Sequence, residues 1–236
     1  MLCPVIPQCY DDVIIRSYHN AGDDIIIPRH VFKLPQLSID NSGLFFGGLT
    51  CFEPEKLDVA DAVGLFFSLV DIHSNLEPYA PGWRIILDAK GFTFGHLVKL
   101  TASLGAIKKT ICYLQDAMQI RLKGIHVINT SPVIVQFVGI IKPFMKKHLY
   151  EMIHLYTPAE IDNFHEIVHP DSLPEETGGK SGTINELVQN GLDELEKYQN
   201  WFEDDELLAR IDVDKRRTSI AGGALVVEGF RKLTFD

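Results

Sequence analysis

A chain of 236 residues, 46% hydrophobic and 23% charged, is long enough to bury one sizeable core and needs no second domain of equal weight. Its formal net charge of -10 argues against general nucleic-acid binding, which requires a basic face, so any basic patch must be local. Residues 1–9 contain Pro4 and Pro7 and lack the charged start and apolar run of a secretory signal, while Cys3, Cys9, Cys51 and Cys112 form no CxxC pair, so free thiols in the cytoplasm are expected.

In chain order, residues 9–29 set the acidic pairs Asp11-Asp12 and Asp23-Asp24 beside apolar pairs and show no period. Residues 43–49 read as a strand, and 57–72 as an amphipathic helix with Leu65, Phe66, Leu69 and Ile72 at helical spacing. Residues 85–88 are too short and β-branched for a helix, and Gly91 ends them in a turn where Asp88 is expected to cap backbone donors. One long helix is predicted over 97–114, a strand over 125–128, and a helix with its follower from Pro132 to about Tyr156. Past the Gly178-Gly179 turn, 184 to about 211 reads as a charged outer helix whose buried stripe is Leu187, Leu192, Leu195, Tyr198 and Trp201. Strands alternating with helices predict an α/β fold, with one layer of helices on a mixed sheet.

The segment 133–141 has Gln136 as its single polar side chain, which is too apolar for a surface helix and too short to span a membrane. Lys142, Lys146 and Lys147 gather around Pro143, which removes a backbone donor and ends or kinks the helix. A movable lid with a charged hinge fits this pattern, and so does a buried core helix with a proline kink.

Two motifs point towards enzymes. His165-Glu166-Ile167-Val168-His169 is a literal HExxH, the arrangement by which a helix offers two imidazoles to zinc and a glutamate as base. Pro170 disfavours helical geometry at His169, so chance is the preferred explanation and a zinc hydrolase the remote one. Gly178-Gly179-Lys180-Ser181 resembles the end of a phosphate loop, but Pro174 stands where such a loop needs glycine. No nucleophile elbow or paired cysteine is present, so no catalytic residue, metal ligand or cofactor is assigned.

Several segments in fixed order resemble the CRAL-TRIO, or Sec14-like, family of lipid carriers, in particular its arthropod branch similar to the alpha-tocopherol transfer protein. They are Lys33-Leu34-Pro35-Gln36-Leu37, residues 83–91 with their Asp88-x-x-Gly91 turn, Gln115-Asp116-Ala117, residues 121–129, Lys142-Pro143-Phe144, residues 173–179 and Phe230-Arg231-Lys232-Leu233. The resemblance implies a remnant of an N-terminal helical region over 1–32, a lipid-binding domain over 33–182, and a C-terminal helix and tail over 183–236. It implies a non-enzymatic carrier with a helical gate over an apolar cavity. The expected partners are a hydrophobic molecule (tocopherol-like, retinoid, carotenoid or phospholipid) and, transiently, an anionic membrane. Cavity-wall candidates, taken from the resemblance or from their face, are Phe66, Trp83, Ile85, Leu87, Ile111, Leu114, Ile120, Ile128, Ile134, Phe137, Val138 and Ile141. Trp83 would shorten the cavity if it points inward. Arg121 and Lys123 match basic positions of a phosphoinositide-responsive site, with Lys142, Lys146 and Lys147 as further membrane contacts. His148 and Met152 stand where two more basic residues of that site are expected, which weakens the match. A phosphoinositide-binding adaptor without cargo is the alternative function.

Overall fold

A computed structural model describes residues 29–198 except 50, 51, 78, 117 and 119. Its frame is a five-stranded sheet with strands in chain order: β1 (Arg29–Lys33), β2 (Gly43–Leu49), β3 (Trp83–Asp88), β4 (Leu122–Ile128) and β5 (Ile153–Leu155). β1 runs antiparallel to β2, and β2 to β5 are parallel. Right-handed crossovers between strands laid down in one direction carry all connecting helices to the same face. These helices are α1 (Val59–Leu76), α2 (Phe94–Ala102), α3 (Leu104–Asp116), α4 (Pro132–Ile141) and α5 (Lys147–Glu151).

The single helical layer expected from the sequence needs correction, because both faces of the sheet are covered. Ile85 and Ile125 join Leu100, Ile107, Ile111 and Ile141 in the cluster under the crossover helices. Ile86, the chain neighbour of Ile85, joins Phe32, Phe46 and Ile128 in a second cluster on the opposite face, as the strand pleat requires. That cluster is closed by Phe164 of α6 (Ile161–His165) and Leu187 of α7 (Ile184–Lys197), with Val168 and Leu173 between them. Thr183 caps α7 in a reciprocal capping box with Glu186.

Two further differences have local causes. The long helix expected over 97–114 breaks at Ser103, where the Thr101 hydroxyl donates back to the Leu97 and Val98 carbonyls and competes with the helix ladder. Residues 153–155, expected in a helix, form β5 because Ile125 N–H donates to Met152 O and Tyr156 N–H to Val127 O, both at 2.8 Å. Pro143 does end α4, in a single 3₁₀ turn over Lys142–Phe144. Sheet pairing begins at Arg29, ahead of Lys33. Residues 1–28 and 199–236, including Trp201, the end of the expected outer helix and residues 230–233, lie outside the described residues.

Candidate functional site

Between the sheet and its crossover helices lies a cavity of about 330 Å³. Its floor is the alternating set of strand residues that faces these helices: Val31, Gly47, Leu87 and Val127 form one row across the sheet, and Phe45, Ile85, Ile125 and Ile153 the next. Its walls are Val59, Val63 and Phe66 of α1, Ile107, Ile111 and Leu114 of α3, and Ile134, Phe137, Val138 and Ile141 of α4. Leu87 belongs to the central strand and is nevertheless 41% accessible, because the helices stand off the sheet and leave its side chain facing the empty space. The lining is almost wholly apolar. Thr110 donates its hydroxyl to Ala106 O at 3.0 Å, and Asp88 Oδ1 accepts from Lys90 N–H at 2.9 Å and Asn129 Nδ2 at 2.8 Å. Asp88 is therefore engaged in capping its turn, as the Asp-x-x-Gly pattern suggested.

Nine of the twelve candidate wall residues face this space: Phe66, Ile85, Leu87, Ile111, Leu114, Ile134, Phe137, Val138 and Ile141. Three do not. Ile128 has the opposite strand parity and packs in the far cluster. Ile120 precedes β4, in the turn, and is absent from the lining. Trp83 starts β3 on the cavity side but is buried beyond the cavity's end, stacked on Phe45 at 4.7 Å between ring centroids and 21°. Its ring occupies the place a side chain at position 43 would take, since a Cβ on Gly43 would lie 2.5 Å from it. Sequence reasoning missed Phe45, Gly47, Ile125 and Val127; for the last two, the alternation set by Ile85 and Leu87 on the neighbouring strand is the signal that finds them.

Most of the expected basic contacts have partners within the chain. Lys123 Nζ donates to Asp40 Oδ2 at 2.9 Å, Lys146 pairs with Asp116, and Lys147 lies 3.7 Å from Glu151. Lys142 sits over the Tyr150 ring at 4.3 Å. Arg121 has no carboxylate partner among the described residues. Asp40 also accepts from Arg84 Nη2 at 3.0 Å, Ser38 Oγ at 2.5 Å and Ser42 Oγ at 2.8 Å. Burial alone would raise its carboxyl, but the bonds from Arg84, Ser38, Lys123 and Ser42 outweigh it and hold the group well below the usual carboxylate range. Arg84 Nη1 also donates to His126 Nε2 at 3.1 Å, leaving His126 Nδ1 to face Tyr156 Oη at 3.1 Å. Burial first, then Arg84, pushes His126 down to about 4, so the ring is neutral near pH 7.

The enzyme-like motifs resolve into structure. His165 ends α6, whereas His169 is extended before Pro170 and accepts from Asp171 N–H at 3.2 Å, so the two rings do not share a helical face. No group of three His, Cys, Asp or Glu side chains suited to a metal ion occurs among the described residues. Gly178 adopts φ 87°, and Gly179 packs so closely on Leu173 that a Cβ would collide with its carbonyl, which accounts for the glycine pair. Among the described residues no helix is long and apolar enough to cross a membrane.

Comparison with known proteins bears on the same segments. Clavesin-1 of Xenopus laevis is 33% identical over 115 residues, which are 49% of this chain and 34% of that protein. Clavesin-2 of Homo sapiens is 32% identical with the same coverage, so the match spans about a third of these relatives' length. The solved structure titled "Crystal structure of Sfh5" aligns with a TM-score of 0.48 and 12% identity, over 80% of this chain and 76% of that one. The family model described as "CRAL/TRIO domain" matches residues 44–179, from β2 to the Gly-Gly turn and more than half of the chain. All of the cavity's lining except His30 and Val31 of β1 lies inside the matched segment, and the chain belongs to the CRAL/TRIO domain family.

Proposed function

We propose that this protein binds one small hydrophobic molecule in the cavity and carries it between membranes, without chemical turnover, as a cytoplasmic protein that docks on membrane surfaces. The observation that carries this reading is the apolar space of about 330 Å³ that the helices leave unfilled over the middle of the sheet, at Leu87. Enclosing about 400 Å² of apolar ligand surface at about 25 cal/mol per Å² contributes about 10 kcal/mol before ordering costs, enough to hold a water-insoluble cargo. The volume stands near the lower end of the roughly 300–1,000 Å³ typical of ligand sites. It favours a compact or single-tailed lipophile, tocopherol-like or retinoid in size, over a two-tailed phospholipid.

Membrane contact is supported by an exposed apolar edge. Phe52, Phe94, Val98 and Val135 are all exposed, and they lie in the segments that follow the carboxyl ends of β2, β3 and β4. A cargo of low solubility leaves a bilayer most readily where apolar protein surface enters the interface beside the cavity. α4 supplies a wall of the cavity and presents Val135 outward, so the helix that covers the ligand also meets the lipid.

Native mass spectrometry of protein purified without detergent, followed by solvent extraction, tests the reading. One hydrophobic molecule per chain is expected. An empty chain that binds vesicles by head-group type would favour the adaptor instead, and bound zinc would restore the histidine motif.

A further inference from the structure

Among the described residues that line the cavity, three carry nitrogen or oxygen in their side chains: His30, Asp88 and Thr110. The first two belong to the other face of the sheet. His30 and Asp88 both pair with Gly48, at the strand parity of Phe46 and Ile86, and the His30 ring stacks on Phe46 at 5.8 Å. Thr110 is therefore the lining residue that brings a hydroxyl to the helical side of the cavity. It stands in the α3 stripe with Ile107, Ile111 and Leu114, which are all apolar. The helix itself does not call for it: threonine is a weaker helix former than alanine or leucine, and valine would fill the same volume. Its hydrogen is donated to Ala106 O at 3.0 Å, so the oxygen keeps lone pairs with which to accept. Chain direction sets its depth. Residues 94–116 return from the carboxyl end of β3 to the amino end of β4, and the exposed Phe94 and Val98 mark the start of that return. Thr110 comes late in it, in the part of the cavity away from the apolar edge.

Resting on the carrier reading above, we infer that Thr110 selects the cargo: a lipophilic alcohol or phenol whose O–H donates to Thr110 Oγ1 while its apolar body extends towards the exposed edge. The hydroxyl is then the innermost end of the bound molecule. The helical walls offer it no other side-chain acceptor of nitrogen or oxygen among the described residues. A hydroxyl buried there without its partner loses more than the bond itself, because it has also given up water. A hydrocarbon or an ether of the same shape has no hydrogen to donate and gains nothing from Thr110 beyond contact.

Equilibrium binding of all-trans-retinol and of its methyl ether, each followed by its own fluorescence, to the wild type, Thr110→Val and Thr110→Ser tests this. Thr110→Val keeps the volume and removes the acceptor, so it is expected to weaken retinol about tenfold and the ether less than about twofold. Thr110→Ser, which keeps a hydroxyl, is expected to retain the wild-type ratio between the two probes. Equal losses for both probes in Thr110→Val, or none for either, would overturn the inference and leave the carrier reading intact. A Thr110→Ser variant whose ratio follows that of Thr110→Val would also overturn it. If Thr110→Val does not fold, Thr110→Ala is read by the same difference between probes, since lost volume alone weakens both. A wild type that binds neither probe would remove the carrier reading, and the inference with it.

Discussion

Replacing Gly47 by leucine should raise stability and lower ligand affinity at once. Gly47 occupies the middle of the cavity floor, paired with Val31 on β1 and Leu87 on β3. A Cβ there would meet His30 O at 3.4 Å and the side chains of Leu87 and Val31 at 3.6 Å, so the substitution needs little backbone movement and the rest of the leucine extends into the space. In the ligand-free protein, burying that side chain contributes about 1.5–3 kcal/mol. Removing glycine from a strand interior adds about 0.5–1 kcal/mol. A chain of this length gains about 2–4 °C per kcal/mol, so a rise of about 5–15 °C follows. The same leucine excludes about four carbons of ligand; at about 0.8 kcal/mol each, binding falls by about 3 kcal/mol, or roughly 150-fold. Thermal unfolding by circular dichroism, with equilibrium binding of a fluorescent lipophile, measures both effects. A lower melting temperature would mean that the site is already full and overpacking dominates. A higher melting temperature with unchanged affinity would mean that the space is real and the ligand binds elsewhere.

Buried histidines predict a pH dependence of stability. His73 is pushed down from 6.5 to about 4 by burial and then by Lys33, and His126 to about 4 by burial and then by Arg84. Their contribution is fully present above 6.5 and is lost as pH falls towards 4, because the unfolded chain binds protons first. Each histidine adds up to about 1.4 kcal/mol per pH unit in that window. Urea unfolding across it should show His126→Phe removing about half of the combined slope; an unaltered slope would refute the assignment. In the Gly-Gly turn, Gly179→Ala should destabilise by about 2 kcal/mol or more through collision with Leu173, while Lys180→Ala, which removes only an exposed pair with Asp171, should cost less than about 1 kcal/mol. A phosphate-loop role would instead make Lys180→Ala abolish nucleotide binding, which equilibrium dialysis with ATP would detect.

The sequence made the central strands legible because their short aromatic and β-branched runs admit little else, and β2 was placed residue for residue at 43–49. It did not reveal β5, whose three residues are too few to show a period and which is held by backbone bonds to β4. Ile128 falls on the far face because the parallel strand β4 is buried on both sides, with His126 and Ile128 on one face and Ile125 and Val127 on the other, so apolar character alone does not say which face Ile128 takes. α4 was conspicuous for its apolarity, yet only the fold shows that Ile134, Phe137, Val138 and Ile141 line an open space. The pairing of Lys123 with Asp40 joins residues 83 positions apart, a distance over which charge patterns in one sequence say nothing.

The gap between the sheet and its helices has a consequence for how long each molecule survives. Domains of ordinary stability keep about 5–15 kcal/mol in reserve, and an interior left partly unfilled draws on that reserve. Cargo present at about a hundred times its dissociation constant returns about 2.7 kcal/mol. Empty chains therefore visit unfolded states more often than loaded ones and are the first that quality-control proteases remove. Under the carrier reading, the abundance of the protein follows the supply of its cargo, and the half-life of the chain in cells becomes a measure of its occupancy.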